Sequence, residues 1–109
     1  MLLAEQAYRL TARFPKDEVY GMTSQIRRSA VSIAANIAEG HGRENSGSFI
    51  QFLRMSQGSL KELETLLLLG QRVKLANMEA VQPLLDRCDD LGKMMRSLIR
   101  SIQRRQSND

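Results

Sequence analysis

Tryptophan is absent from this chain of 109 residues, and only three Phe and two Tyr are present, so its core must be aliphatic. A single cysteine, Cys88, excludes an intrachain disulfide and fits a reducing compartment. Two Pro and seven Gly leave too little punctuation for the many turns of an all-β fold. Long apolar runs are missing as well. The richest stretches, residues 30–38 and 66–69, fall far short of the roughly 20 residues needed to cross a bilayer. Glu5 and Arg9 interrupt any secretory signal after Met1. The expectation is a soluble, cytoplasmic protein with no membrane partner.

What is present favours helix. Straight-chain and γ-branched apolar residues (15 Leu, 9 Ala, 6 Met) outnumber the β-branched ones (4 Val, 6 Ile, 3 Thr). The length suits one domain, residues 1–109, with no internal repeat, low-complexity segment or linker. Sixteen Lys and Arg against twelve Asp and Glu give a formal charge of +4, which biases the chain toward polyanions without choosing among them.

Apolar spacing predicts four helices at about 1–14, 18–39, 46–70 and 78–104. Leu3, Ala7, Leu10 and Phe14 form one face of the first, and Phe14-Pro15 stops it. Asp17 is the expected N-cap of the second helix, which carries a stripe of Val19, Met22, Ile26, Ala30, Ile33 and Ile37. A second stripe on that helix reads Tyr20, Arg27, Val31, Ala34 and Ala38. The third helix, capped by Asn45 or Ser46, has the cleanest heptad: Phe49, Leu53, Ser56, Leu60, Leu63, Leu67 and Gly70. A further row of Phe52, Met55, Ser59, Leu66 and Leu69 gives it a second packing face. Asn77 is the expected cap of the fourth helix, with Pro83 marking a first-turn start near residue 82 or a bend. Its stripe is Leu84, Cys88, Leu91, Met95, Leu98 and Ile102. The fold class expected is all-α, an antiparallel up-down-up-down four-helix bundle. Helices apolar on two sides need more cover than three partners supply, which points to a subunit interface. Asn36 and Gly58 are candidates for that interface. Gly58 costs the third helix about 1 kcal/mol in propensity, and close approach by a neighbouring helix would offset it.

Catalysis has almost nothing to use. His41 and Cys88 are the only residues of their kinds and fall on different elements, so no Cys-His dyad is expected. No Glu-x-x-His occurs to build a di-metal bundle site, and Gly40-His41-Gly42 lacks the lysine spacing of a phosphate loop. The expectation is a non-enzyme with no metal and no cofactor. The basic residues carry more information. Lys93, Arg96, Arg100 and Arg104 recur at steps of 3, 4 and 4 and share one face of the fourth helix. Such a stripe is either a solvated face suited to a helix C-terminus or a track for nucleic-acid phosphates. Arg27, Arg28 and Arg43 are further candidates. Glu39 is disfavoured near a helix C-terminus and is expected to pair with an Arg of another helix or subunit.

Three elements together, Gln25-Ile26-Arg27-Arg28, Asn36-Ile37-Ala38-Glu39-Gly40 and Gly58-Ser59-Leu60-Lys61-Glu62-Leu63, carry a family resemblance. With Phe14-Pro15-Lys16-Asp17 before them, they resemble the bacterial four-helix-bundle proteins encoded in 23S rRNA intervening sequences. The match is strongest from Phe14 to Leu67 and loose in the fourth helix. The chain departs from the family pattern in lacking a further N-terminal piece of helix one that often carries a Trp. The resemblance implies assembly as a ring-shaped homopentamer, with RNA or DNA as a partner. It also leaves open an interaction scaffold for a protein partner, as in the related accessory variability determinants of retroelements, which bind a reverse transcriptase.

Overall fold

The computed structural model describes residues 2–108, so the predicted helix start at residue 1 and the last residue lie outside the described residues. Four α-helices occupy this span: α1 (Leu2–Thr11), α2 (Met22–His41), α3 (Ser46–Arg72) and α4 (Met78–Asn108). A short 3-10 turn, Lys16–Glu18, joins α1 to α2, and no strand occurs among the described residues. The chain is all-α.

Local chemistry sets the helix ends. The Asn45 side chain accepts a hydrogen bond from the Ser48 N–H at 3.0 Å, capping α3. Asn77 does the same for α4, accepting from the Ala80 N–H at 2.8 Å. Asp17 does not cap α2. It lies within the 3-10 turn, and Gly21 occupies the N-cap with no side-chain cap bond. Val19 and Tyr20 consequently leave the predicted α2 stripes, and Tyr20 is 94% exposed. The turn bonds from Glu18 N–H to Pro15 and from Val19 N–H to Lys16 span three residues. A three-residue turn rotates side chains differently from an α-helix, so the α2 periodicity does not extend back through it. Pro83 lies inside α4, which starts at Met78, so the Glu79 carbonyl loses its usual donor four residues on.

The end of α3 is closed by a paired bond. Leu75 N–H donates to the Gly70 carbonyl at 2.8 Å and Lys74 N–H to Gln71 at 3.1 Å. Lys74 takes φ 66, the left-handed conformation that such a helix stop requires.

The core is a single aliphatic cluster with contributions from every helix. It includes Leu3, Ala7 and Leu10 of α1, Ile26, Ala30 and Ile33 of α2, Leu53, Leu60, Leu63 and Leu67 of α3, and Val81, Cys88, Met95 and Ile102 of α4. Phe14 is buried just beyond α1, and the predicted α3 heptad is buried from Leu53 through Gly70. Each buried Leu or Ile contributes about 1.5–3 kcal/mol through area removed from water.

The most extensive helix pairing is between α2 and α3. Along it Gly40 meets Phe52, Ile33 meets Ser56, Ser32 meets Ser59 and Met22 meets Gly70, so numbers fall along one helix as they rise along the other. The Ser56 hydroxyl donates to the Ile33 carbonyl in the core. At the outer edge the Ser32 and Ser59 hydroxyls share a hydrogen bond of 2.9 Å, and Asn36 Nδ2 donates to the Ser32 carbonyl. These bonds satisfy polar groups that burial would otherwise penalise.

Candidate nucleic-acid interface

Helix α4 packs beside α3, with the Gly92 backbone facing Leu60 at ordinary contact distance. The pairing brings Arg54 of α3 alongside the arginine face of α4. Arg54 and Gln57 of α3 line one cleft of about 400 Å³ with Arg96, Arg100 and Gln103 of α4, over Ile99. An adjoining cleft of about 450 Å³ continues along α4 with Ser97, Arg100, Gln103, Arg104 and Ser107. Because Arg100 and Gln103 belong to both, the two form one continuous band. From Arg96 to Arg104 the band runs about 12 Å along the helix axis. Arg54, Arg96, Arg100 and Arg104 are all exposed, whereas Ile99 is only 5% exposed and forms an apolar floor.

Three expected residues of this site, Arg96, Arg100 and Arg104, are therefore brought together. Arg54, Gln57 and Gln103 are the residues that sequence reading misses. Arg54 stands alone in its stretch of α3, and only tertiary packing reveals its neighbours.

The other candidate cations are placed elsewhere. Arg27 is half-buried and donates from Nε to the Thr11 hydroxyl at 2.8 Å, with its guanidinium carbon 4.5 Å from the centre of the Tyr8 ring. It ties α1 to α2. Arg28 is exposed and lines a separate cleft with Arg27, Tyr8, Val19 and Val31. Arg43 follows α2 and binds Glu39, Nη2 to Oε1 at 2.7 Å, while its guanidinium stands 5.1 Å from the Phe52 ring centre.

The structure bears on two expectations. Within the chain Glu39 pairs with no other helix; its partner is Arg43, four residues on. The helix runs to His41, which sets residues 39 and 43 one turn apart. Gly58 is exposed, and a Cβ there would meet nothing within 4 Å, so no helix of the same chain approaches it. Asn36 is half-buried and bonded within its own helix to Ser32.

His41 is exposed and stands edge-on to Phe49, with ring centroids 5.9 Å apart. Cys88 is fully buried on α4, and burial, reinforced by the nearby Glu64 charge, pushes its thiol up to about 12. A further cleft of about 510 Å³ lies by the α3–α4 turn, lined by Leu10, Arg13, Gln71, Lys74 and Asn77 among others. Among the described residues no group of three or more His, Cys, Asp or Glu could hold a metal ion. No described helix is long and apolar enough to cross a membrane.

The fold and its arginine band define a small helical-bundle protein with a cationic two-helix cleft. A family profile of 23S rRNA-intervening sequence proteins matches residues 1–97, and the chain belongs to that family. A crystal structure of a protein of unknown function from the S23 ribosomal protein family of Bacteroides thetaiotaomicron has the same fold. The two are 22% identical with a TM-score of 0.75, over 89% of this chain and 97% of that one. No curated protein matches the sequence.

Proposed function

We propose that this chain is a non-enzymatic, cytoplasmic nucleic-acid-binding protein that contacts backbone phosphates through the band of Arg96, Arg100, Arg104 and Arg54. The observation that carries this reading is the meeting of four exposed arginines from two helices in one continuous cleft. Phosphate oxygens match the planar fork of a guanidinium, and each neutralised phosphate releases condensed counterions. Arg28 and Arg43 lie apart from the band and add to the overall positive charge, Arg43 offset by its pairing with Glu39.

In this reading the helices form an antiparallel up-down-up-down bundle that assembles into a ring, a homopentamer by family resemblance. Met55 and Leu69 of α3 and Val73 just past its end, all exposed on one side, support assembly, because apolar surface of this kind favours burial against another copy. Assembly multiplies the +4 charge of each copy around the ring. The same apolar row supports a second reading, an interaction scaffold for a protein partner.

Binding of a labelled RNA measured across a salt series tests the proposal. Affinity is expected to fall steeply with salt, and the combined variant Arg96→Gln, Arg100→Gln, Arg104→Gln to flatten that slope. Salt-insensitive binding, or a slope unchanged by the triple variant, would reject the arginine band as the contact surface.

A further inference from the structure

Among the described residues, every cation seen in an ion pair finds its carboxylate three or four places away on its own helix or its immediate end. These pairs are Arg9–Glu5, Arg43–Glu39, Lys61–Glu64 and Lys93–Asp89. The arginines of the band have no such neighbour. Arg54 is flanked at those spacings by Ile50, Gln51, Gln57 and Gly58, and Arg96 by Gly92, Lys93, Ile99 and Arg100. Around Arg100 stand Arg96, Ser97, Gln103 and Arg104, and no Asp or Glu occurs between residues 91 and 108 or between 46 and 61. The cleft thus concentrates like charge, and an anionic occupant would relieve the repulsion.

Its shape favours one kind of nucleic acid over another. A single protruding helix, about 10–12 Å across, enters the major groove of a DNA duplex, which is about 12 Å wide. Here the arginines flank a shallow, open groove between two packed helices, with Arg54 on the α3 side and Arg96 and Arg100 on the α4 side. Two helices side by side are too broad for the DNA groove, and the major groove of duplex RNA is narrower still. An open groove receives a strand instead of entering one. Its floor is the apolar Ile99, and Gln57 and Gln103 each present an amide donor and acceptor beside it.

We infer that the α3–α4 cleft holds an unpaired strand, with phosphates on Arg54, Arg96 and Arg100 and one base seated over Ile99 between the Gln57 and Gln103 amides. Arg104 takes the next phosphate along α4. The guanidinium planes supply stacking surface in the absence of aromatic side chains in the cleft. This inference rests on the nucleic-acid reading above and adds the strandedness of the ligand and the role of the two glutamines.

The test is fluorescence anisotropy with labelled single strands of RNA and of DNA, and with blunt duplexes of the same length. The single strand is expected to bind more tightly than the duplex, with either sugar supporting the inference. Gln57→Ala combined with Gln103→Ala should lower single-strand affinity about tenfold while leaving the salt slope unchanged. Arg54→Gln should reduce the single-strand salt slope by about 0.7. Circular dichroism is the check that these exposed or half-exposed replacements retain the helical fold. Duplex binding as tight as single-strand binding, or a strand preference unmoved by the double glutamine variant, overturns the inference and leaves phosphate binding intact. Failure of every oligonucleotide to bind at low salt overturns both readings in favour of a protein partner.

Discussion

Gly40 stands against Phe52 with no room for a side chain: a Cβ on Gly40 would lie 2.7 Å from the Phe52 Cβ and 3.0 Å from Phe49 Cδ1. The nearer obstacle is fixed to the α3 backbone and cannot swing aside. Gly40→Ala, which in an open helix would gain about 1 kcal/mol, is therefore expected to destabilise the bundle by about 1–3 kcal/mol. A lower urea midpoint with an unchanged m-value checks this.

Gly58 offers the opposite case. A Cβ there meets nothing within its own chain, so Gly58→Ala should stabilise the α3 helix by up to about 1 kcal/mol. A neighbouring copy packed on Gly58, as the sequence reading expects, would make the added methyl weaken association as well. Light scattering on the variant, beside its thermal melt, separates the two effects.

Arg27 fastens α1 through one hydrogen bond to Thr11 and a cation–π contact with Tyr8. Arg27→Gln is expected to cost about 1–2 kcal/mol, and Thr11→Val about 1 kcal/mol. A double-mutant cycle should show coupling between the two, because both remove the same bond. Earlier hydrogen exchange in α1 than in α3 would accompany the loss.

Lys74 occupies a left-handed position that glycine adopts without steric cost. Lys74→Gly is expected to raise stability by about 0.5–1 kcal/mol, the relieved strain exceeding the added freedom of the unfolded chain. Equilibrium denaturation is the measurement.

Cys88 keeps its proton in the folded protein up to about pH 12, whereas an exposed thiol ionises near 9. Between these values the unfolded chain binds fewer protons than the folded one, so this residue makes stability fall as pH rises through that window. Cys88→Ala should show a shallower alkaline decline than the parent. In the native protein a thiol reagent should react only at the rate of unfolding.

The helices and much of the core were legible in apolar spacing because α3 and α4 are long and strongly periodic. The α3 heptad and the Asn45 and Asn77 caps rest on chemistry local to the sequence, and the structure follows them. The start of α2 was harder to read, since Pro15 leads into a 3-10 turn whose rotation breaks the α2 pattern and frees Tyr20 to solvent. The Glu39–Arg43 pair leaves no trace in apolar spacing: α2 runs to His41, and the turn that follows brings the loop residue Arg43 back within reach of Glu39. The cleft was half visible. Arg96, Arg100 and Arg104 share one helix face, but Arg54 is 42 residues from Arg96 and joins them only through the packing of α3 on α4.

The seam of Ser32, Ser56, Ser59 and Asn36 has a consequence for how the chain finds its native state. Leucine heptads alone allow two helices to slide by a full repeat at little penalty. Here a slide would strand the Ser56 hydroxyl in hydrocarbon, away from the Ile33 carbonyl that accepts it. The α2–α3 hairpin therefore has one closed alignment, and the two helices return to that single setting each time the molecule folds.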